Sequence, residues 1–152
     1  MNDPQDPACT SALQKCRPRV VLADDHPAVL LAFQRLLQES CDVVASVPSG
    51  TDAIEATTLL QPDVLVVDLM MPGMNGLEVC RAVRETSPET AVIIVTAFDD
   101  EQVRKIAVRD GAADFLPKSQ ASDRLDPIIQ RVFAERRSSV EESPECRPRL
   151  AE

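Results

Sequence analysis

Val64-Leu65-Val66-Val67-Asp68 runs into Leu69-Met70-Met71-Pro72-Gly73-Met74-Asn75-Gly76. Four apolar residues end in a carboxylate, and a loop rich in breakers follows. A continuous β-branched and leucine run of this length reads as a strand buried on both faces. The acid then falls at the carboxyl end of that strand, where open α/β sheets bind their ligands.

The same pattern recurs on either side. Arg19-Val20-Val21-Leu22-Ala23 is an apolar run ending in Asp24 and Asp25, and His26-Pro27 opens a helix, since proline suits the first helical position. Leu30, Phe33 and Leu37 recur there at helical spacing. A second strand is predicted near Asp42–Val47. Ser49-Gly50-Thr51-Asp52 resembles a capping box and starts a helix to about Leu60, with Pro62 beyond it. After the central strand, Asn75 and Glu78 form a capping box, with Met74 and Val79 as a hydrophobic staple. Ala91–Val95 is the fourth strand, ending at Thr96. Asp99 with Gln102 is expected to cap a fourth helix that Gly111 ends. Ala113–Leu116 is a short fifth strand before Pro117-Lys118. The last helix carries Ile128, Ile129, Val132 and Phe133 inward. Its start is open between Asp126-Pro127 and the earlier Ser122 or Asp123.

Five strand–helix repeats predict a parallel sheet covered on both faces by right-handed crossovers, with too few repeats for a TIM barrel. Residues 1–18 read as a disordered leader and 138–152 as a linker or tail. The repeats fit one domain over residues 19–137.

Composition narrows the function. A net charge of −9 argues against gripping nucleic acid or an anionic membrane by this surface. No apolar run approaches the roughly 20 residues of a membrane span, and no signal-peptide pattern is seen, so a cytoplasmic location is expected. Cys9, Cys16, Cys41, Cys80 and Cys146 form no C-x-x-C pair. Neither a disulfide framework nor a zinc site is expected.

The strand ends together present Asp24, Asp25, Asp68, Thr96 and Lys118. Crowded carboxylates repel, which raises at least one pKa unless a cation intervenes. Oxygen ligands suit Mg²⁺. A lysine and a hydroxyl opposite can donate to phosphoryl oxygens, and Asp68 is then a carboxylate nucleophile that would form an aspartyl phosphate. A transition-metal reading of His26 is disfavoured, because the site is rich in oxygen. Met70, Met71 and Met74 read as loop packing residues.

These motifs resemble the receiver domain of two-component response regulators over about residues 19–137. The resemblance rests on Asp24-Asp25, on Asp68 with Met71-Pro72-Gly73-Met74-Asn75-Gly76, on Thr96-Ala97, and on Phe115-Leu116-Pro117-Lys118. Asp24-Asp25-His26-Pro27 and Lys118-Ser119 look most like receivers that precede a LuxR-type helix-turn-helix. The resemblance implies a flavodoxin-like three-layer (βα)5 fold with strand order 2-1-3-4-5. It implies phosphorylation of Asp68 by a sensor histidine kinase. Asp25, Asp68 and the Met70 carbonyl would bind Mg²⁺ directly, and Asp24 through water. Lys118, Thr96 and the small Ala97 would surround the phosphoryl group. Thr96 and Phe115 would form the switch. The fourth helix, fifth strand and fifth helix would be the output surface, through which a homodimer is expected. The implied role is regulatory rather than enzymatic, in transcription control.

Three departures from the family pattern carry expectations. Met70 and Phe98 stand where some relatives have polar side chains, which predicts slow hydrolysis of the acyl phosphate. Ser119 replaces the proline after the lysine, so a trans bond is expected. Phe115 lacks the hydroxyl a tyrosine would bring.

A dehalogenase-type phosphatase wants an acid at position 70, where Met stands. A nucleotide or flavin binder wants glycines in the Asp24–Pro27 loop. An interaction module working without phosphorylation, and a stand-alone receiver in a phosphorelay, remain alternatives.

Overall fold

The computed structural model describes residues 17–139. The expected leader up to residue 16 and the tail beyond residue 139 lie outside the described residues. The elements are β1 (Arg19–Ala23), α1 (Pro27–Leu37), β2 (Asp42–Val47), α2 (Gly50–Leu60), β3 (Val64–Asp68), α3 (Gly76–Thr86), β4 (Ala91–Thr96), α4 (Glu101–Arg109), β5 (Asp114–Pro117) and α5 (Ala121–Ser139). The five strands form one parallel sheet in the order β2-β1-β3-β4-β5. The order 2-1-3-4-5 is the one the resemblance implied.

β3 is central, and all five of its residues are buried. Val64 and Val66 face the layer of α1 and α5, with Leu37, Leu125, Ile129 and Val132. Leu65 and Val67 face the opposite layer, with Ala53, Val79, Val83 and Ala107. Burying these four side chains contributes about 6–12 kcal/mol before chain entropy is subtracted. That exceeds the several kcal/mol that desolvating one carboxylate costs, so β3 can hold Asp68 out of water.

Asn75 accepts from the Glu78 N–H and Glu78 from the Asn75 N–H, each at 2.9 Å, which completes the predicted box. At the end of α4, Gly111 has φ +102°; Gly111 donates to Val108 and Ala112 to Ala107. That pairing is a Schellman closure, and glycine is required by its positive φ. Asp99 is not the cap of α4. Asp100 is, accepting from the Gln102 N–H at 2.9 Å, while Asp99 pairs with Arg104. The capping geometry allows either acid, and Asp99 is drawn to the guanidinium.

α5 begins earlier than either predicted start, at Ala121, directly after a 3₁₀ turn over Lys118–Gln120. Pro127 therefore lies inside the helix, where it cannot donate to Asp123. Asp126 caps nothing there. It accepts from Ser40 Oγ at 2.8 Å, which ties α5 to the turn after α1, and from Gln130 Nε2, one helical turn on, at 3.2 Å. The backbone carries no cis peptide among the described residues, so Lys118–Ser119 is trans. No described helix is long and apolar enough to cross a membrane.

Candidate functional site

The parallel sheet brings its acidic strand ends to one edge. β1 and β3 are neighbours, so Asp24, one residue past β1, stands beside Asp68 at the end of β3. Both side chains are 3% exposed. Lys118, just past β5, reaches back over β4. Its ammonium lies 2.8 Å from Asp24 Oδ2 and 3.2 Å from Asp68 Oδ2.

Burial pushes the Asp68 carboxyl up from its ordinary range, and the Asp24 charge adds to this; Lys118 opposes it. At Lys118 burial works against the charge, yet the hydrogen bond it donates to Asp24 and the Asp68 charge together raise its pKa. The site thus keeps a firm cation beside a carboxylate that is costly to ionise.

Asp25 completes the acidic set at the rim, 28% exposed. Its Oδ1 is buried without a hydrogen-bond partner. Asp24, Asp25, His26 and Asp68 each bring one ligand atom, all within 4.8 Å of one another. Three carboxylates face a single ammonium, which leaves an excess of two negative charges. An orphaned carboxylate oxygen and that deficit fit a divalent cation.

The remaining predicted residues lie on β4 and β5 and in the loops after β3 and β4. The Met70 N–H points at Asp68 Oδ1, at 3.4 Å, and its side chain is exposed. Thr96 is fully buried at the end of β4, one residue past Val95, the register partner of Asp68. Its hydroxyl accepts from the Phe98 N–H at 3.1 Å, which leaves the hydroxyl proton available as a donor. Ala97 is exposed beside it. Phe98 is 66% exposed. Phe115 points inward and is buried.

Gly76 sets the position of the nucleophile candidate. A Cβ there would lie 2.9 Å from the Asp68 carbonyl oxygen and 3.0 Å from Leu69 Cα. Only glycine lets the start of α3 pack this closely behind Asp68.

Two side chains go beyond the sequence expectation, His26, for which a metal role is disfavoured above, and Arg104. His26 brings its Nδ1 to 3.1 Å from both Asp24 Oδ1 and Asp25 Oδ1. Its place directly after the acid pair was the available signal. Arg104 covers Phe115, and nothing in the local sequence pointed to that.

With this geometry in hand, the comparisons are specific. The response regulator receiver domain model matches residues 20–130. The chain belongs to the receiver domain family. It is 35% identical over 118 residues to the oxygen regulatory protein NreC of Staphylococcus epidermidis, covering 76% of this chain and 54% of that one. The receiver chain thus spans about half the length of the curated relatives it matches. A two-component response regulator of the LuxR family from Aurantimonas sp. SI85-9A1 superposes with TM-score 0.75 at 28% identity, over 78% of this chain and 86% of that one. A DNA-binding response regulator of the LuxR family from Staphylococcus aureus gives TM-score 0.72 at 27% identity, over 76% and 98%. A receiver is a regulatory domain rather than a classical enzyme.

Proposed function

We propose that this receiver takes a phosphoryl group onto Asp68 from a sensor histidine kinase and signals through the surface of α4, β5 and α5. The observation that carries the reading is the Lys118 ammonium, held by both Asp24 and Asp68 at the carboxyl edge of the sheet.

Chemically, an Asp68 oxygen attacks phosphorus, a P–O bond forms, and the P–N bond of the donor phosphohistidine breaks. The leaving imidazole takes a proton from solvent. Lys118 can move from Asp68 to the new phosphoryl oxygens, and Thr96 can donate its hydroxyl to another. Asp25, Asp68 and the Met70 carbonyl would hold Mg²⁺ directly, with Asp24 acting through water. The ion would supply positive charge to the equatorial oxygens. Ala97 leaves room for the group. Movement of Thr96 toward the phosphoryl group would let Phe115, already buried, change its packing, a two-state switch biased by local charge.

The exposed Met70 and Phe98 offer no side chain to orient an attacking water, which favours a long-lived acyl phosphate. Residues 19–137 form the receiver in this reading, with a cytoplasmic role in transcription control and dimerisation through α4, β5 and α5, and the likeness to LuxR-family regulators supports it.

Intact-mass spectrometry after acetyl phosphate and Mg²⁺ tests the reading. A gain of one phosphoryl group, absent in Asp68→Asn, is expected. No gain would leave an interaction module. Sedimentation with beryllium fluoride should shift monomer to dimer, and an acyl-phosphate half-life of seconds would sink the slow-hydrolysis reading.

A further inference from the structure

His26 is the one histidine of the chain, and the phosphoryl chemistry leaves its side chain unused. It stands at the N-cap position of α1, yet makes no side-chain cap. Its ring instead turns to the acid pair. The His26 N–H donates to Asp24 Oδ1 at 2.9 Å, which anchors the residue, and Nδ1 lies 3.1 Å from Asp24 Oδ1 and 3.1 Å from Asp25 Oδ1.

A hydrogen bond explains the first of those side-chain distances. It does not explain the second, because Asp25 Oδ1 is buried and has no hydrogen-bond partner. Metal geometry explains the second, at Asp25, which would hold the ion directly. Adjacent ligands of a six-coordinate ion with bonds of about 2.1–2.2 Å stand about 3.0 Å apart. The imidazole nitrogen is already spaced as a neighbouring ligand to Asp25 Oδ1.

We propose that His26 Nδ1 is a ligand of this metal site, so that the receiver takes imidazole-accepting first-row ions such as Mn²⁺ and Co²⁺ with a selectivity an all-oxygen site lacks. Imidazole adds affinity for these ions and little for Mg²⁺, which prefers oxygen and water. The proposal rests on the reading that Asp24, Asp25 and Asp68 bind a divalent cation.

The test uses the untagged, chelator-stripped chain and three ions, Mg²⁺, Mn²⁺ and Co²⁺, in titration calorimetry at one pH. His26→Ala should weaken Co²⁺ by at least about tenfold, the loss expected for a ligand or its close support, and leave Mg²⁺ within about twofold. Pulsed electron paramagnetic resonance of the Mn²⁺ form should show coupling to a directly bound ¹⁴N in the wild type. Since there is one histidine, loss of that coupling in His26→Ala assigns it. Circular dichroism establishes that the variant is folded. An equal loss for Mg²⁺ and Co²⁺, tighter Mg²⁺ binding in the variant, or no ¹⁴N coupling in the wild type overturns the proposal while leaving the cation site intact. Failure of the wild type to bind any of the three ions overturns both.

Discussion

The guanidinium of Arg104 lies over the ring of Phe115, 5.0 Å from its centroid. The same side chain donates to the Phe115 carbonyl at 3.1 Å and to Asp99 Oδ1 at 3.2 Å. One residue of α4 therefore ties the buried aromatic to the loop that follows Thr96.

Arg104→Ala should cost about 2–4 kcal/mol, the sum of one cation–π contact and one hydrogen bond from a charged donor to the Phe115 carbonyl, with the exposed Asp99 pairing adding little. It should also free Phe115 to move. Fluorine resonance of a fluorophenylalanine-labelled chain checks this, with broadening of the Phe115 line expected in the variant. A sharp, unshifted line with unchanged stability would separate Arg104 from the aromatic. Arg104→Lys should not restore the order, because an ammonium lacks the planar fork that reaches both partners.

Asp68→Asn should raise stability at pH 7 by on the order of 1 kcal/mol, as relief of strain at functional sites commonly does. Burial and Asp24 raise the Asp68 pKa above its ordinary 3.8. A raised folded pKa favours the protonated form. The stability linked to that proton is present below pH 3.8 and is lost as pH rises through the folded pKa. At neutral pH the ionised side chain is a burden that asparagine removes, while Lys118 keeps Asp24 at 2.8 Å. Urea denaturation at several pH values reads the effect, and a variant less stable than wild type at pH 7 would contradict it.

Gly76→Ala should destabilise the fold by about 1–3 kcal/mol, the usual cost of overpacking. The new methyl would meet the Asp68 carbonyl oxygen and Leu69 Cα, both backbone, so no side chain can yield. Phosphorylation by acetyl phosphate should fall with it, because Asp68 must shift. A variant of full stability and normal labelling would show that α3 can slide outward at no cost.

Much of this was legible from residue order alone. β3 announced itself because a doubly buried parallel strand is apolar throughout, and a carboxylate at its end has no packing reason to be there. The box at Asn75 and Glu78 was readable since both bonds are local. Asp126-Pro127 misled because proline marks helix starts, whereas here a tertiary bond from Ser40 and a bond from Gln130 one turn along the same helix hold Asp126 inside α5. The Arg104–Phe115 stack joins α4 to β5 across the fold and leaves no local signature. His26 was visible, but the direction of its ring depends on backbone dihedrals that sequence does not show.

Thr57→Val should stabilise the fold by about 1 kcal/mol. Thr57 is fully buried in α2, and its hydroxyl oxygen has no hydrogen-bond partner. An unpaired buried hydroxyl costs about 1–3 kcal/mol by mutational measures, and valine keeps the shape. The denaturation midpoint should rise. A fall would mean that the hydroxyl is satisfied in solution.

Cys41 and Cys80 should resist alkylation in the folded protein. Burial pushes each thiol up to about 11, so at pH 8 only about one molecule in a thousand carries the thiolate that reacts. Local access is limited too, as both are about 2% exposed or less. A raised folded pKa means the linked stability is intact below the ordinary value of 9.0 and is lost as pH rises through about 11. Alkaline unfolding should therefore steepen in that window, and replacing both by alanine should flatten it at the expense of two small cavities. Iodoacetamide labelling at pH 8 with peptide mapping checks the first part. Neither cysteine should be modified until denaturant is added, and rapid labelling of either in native buffer would show that its layer opens on the timescale of the reaction.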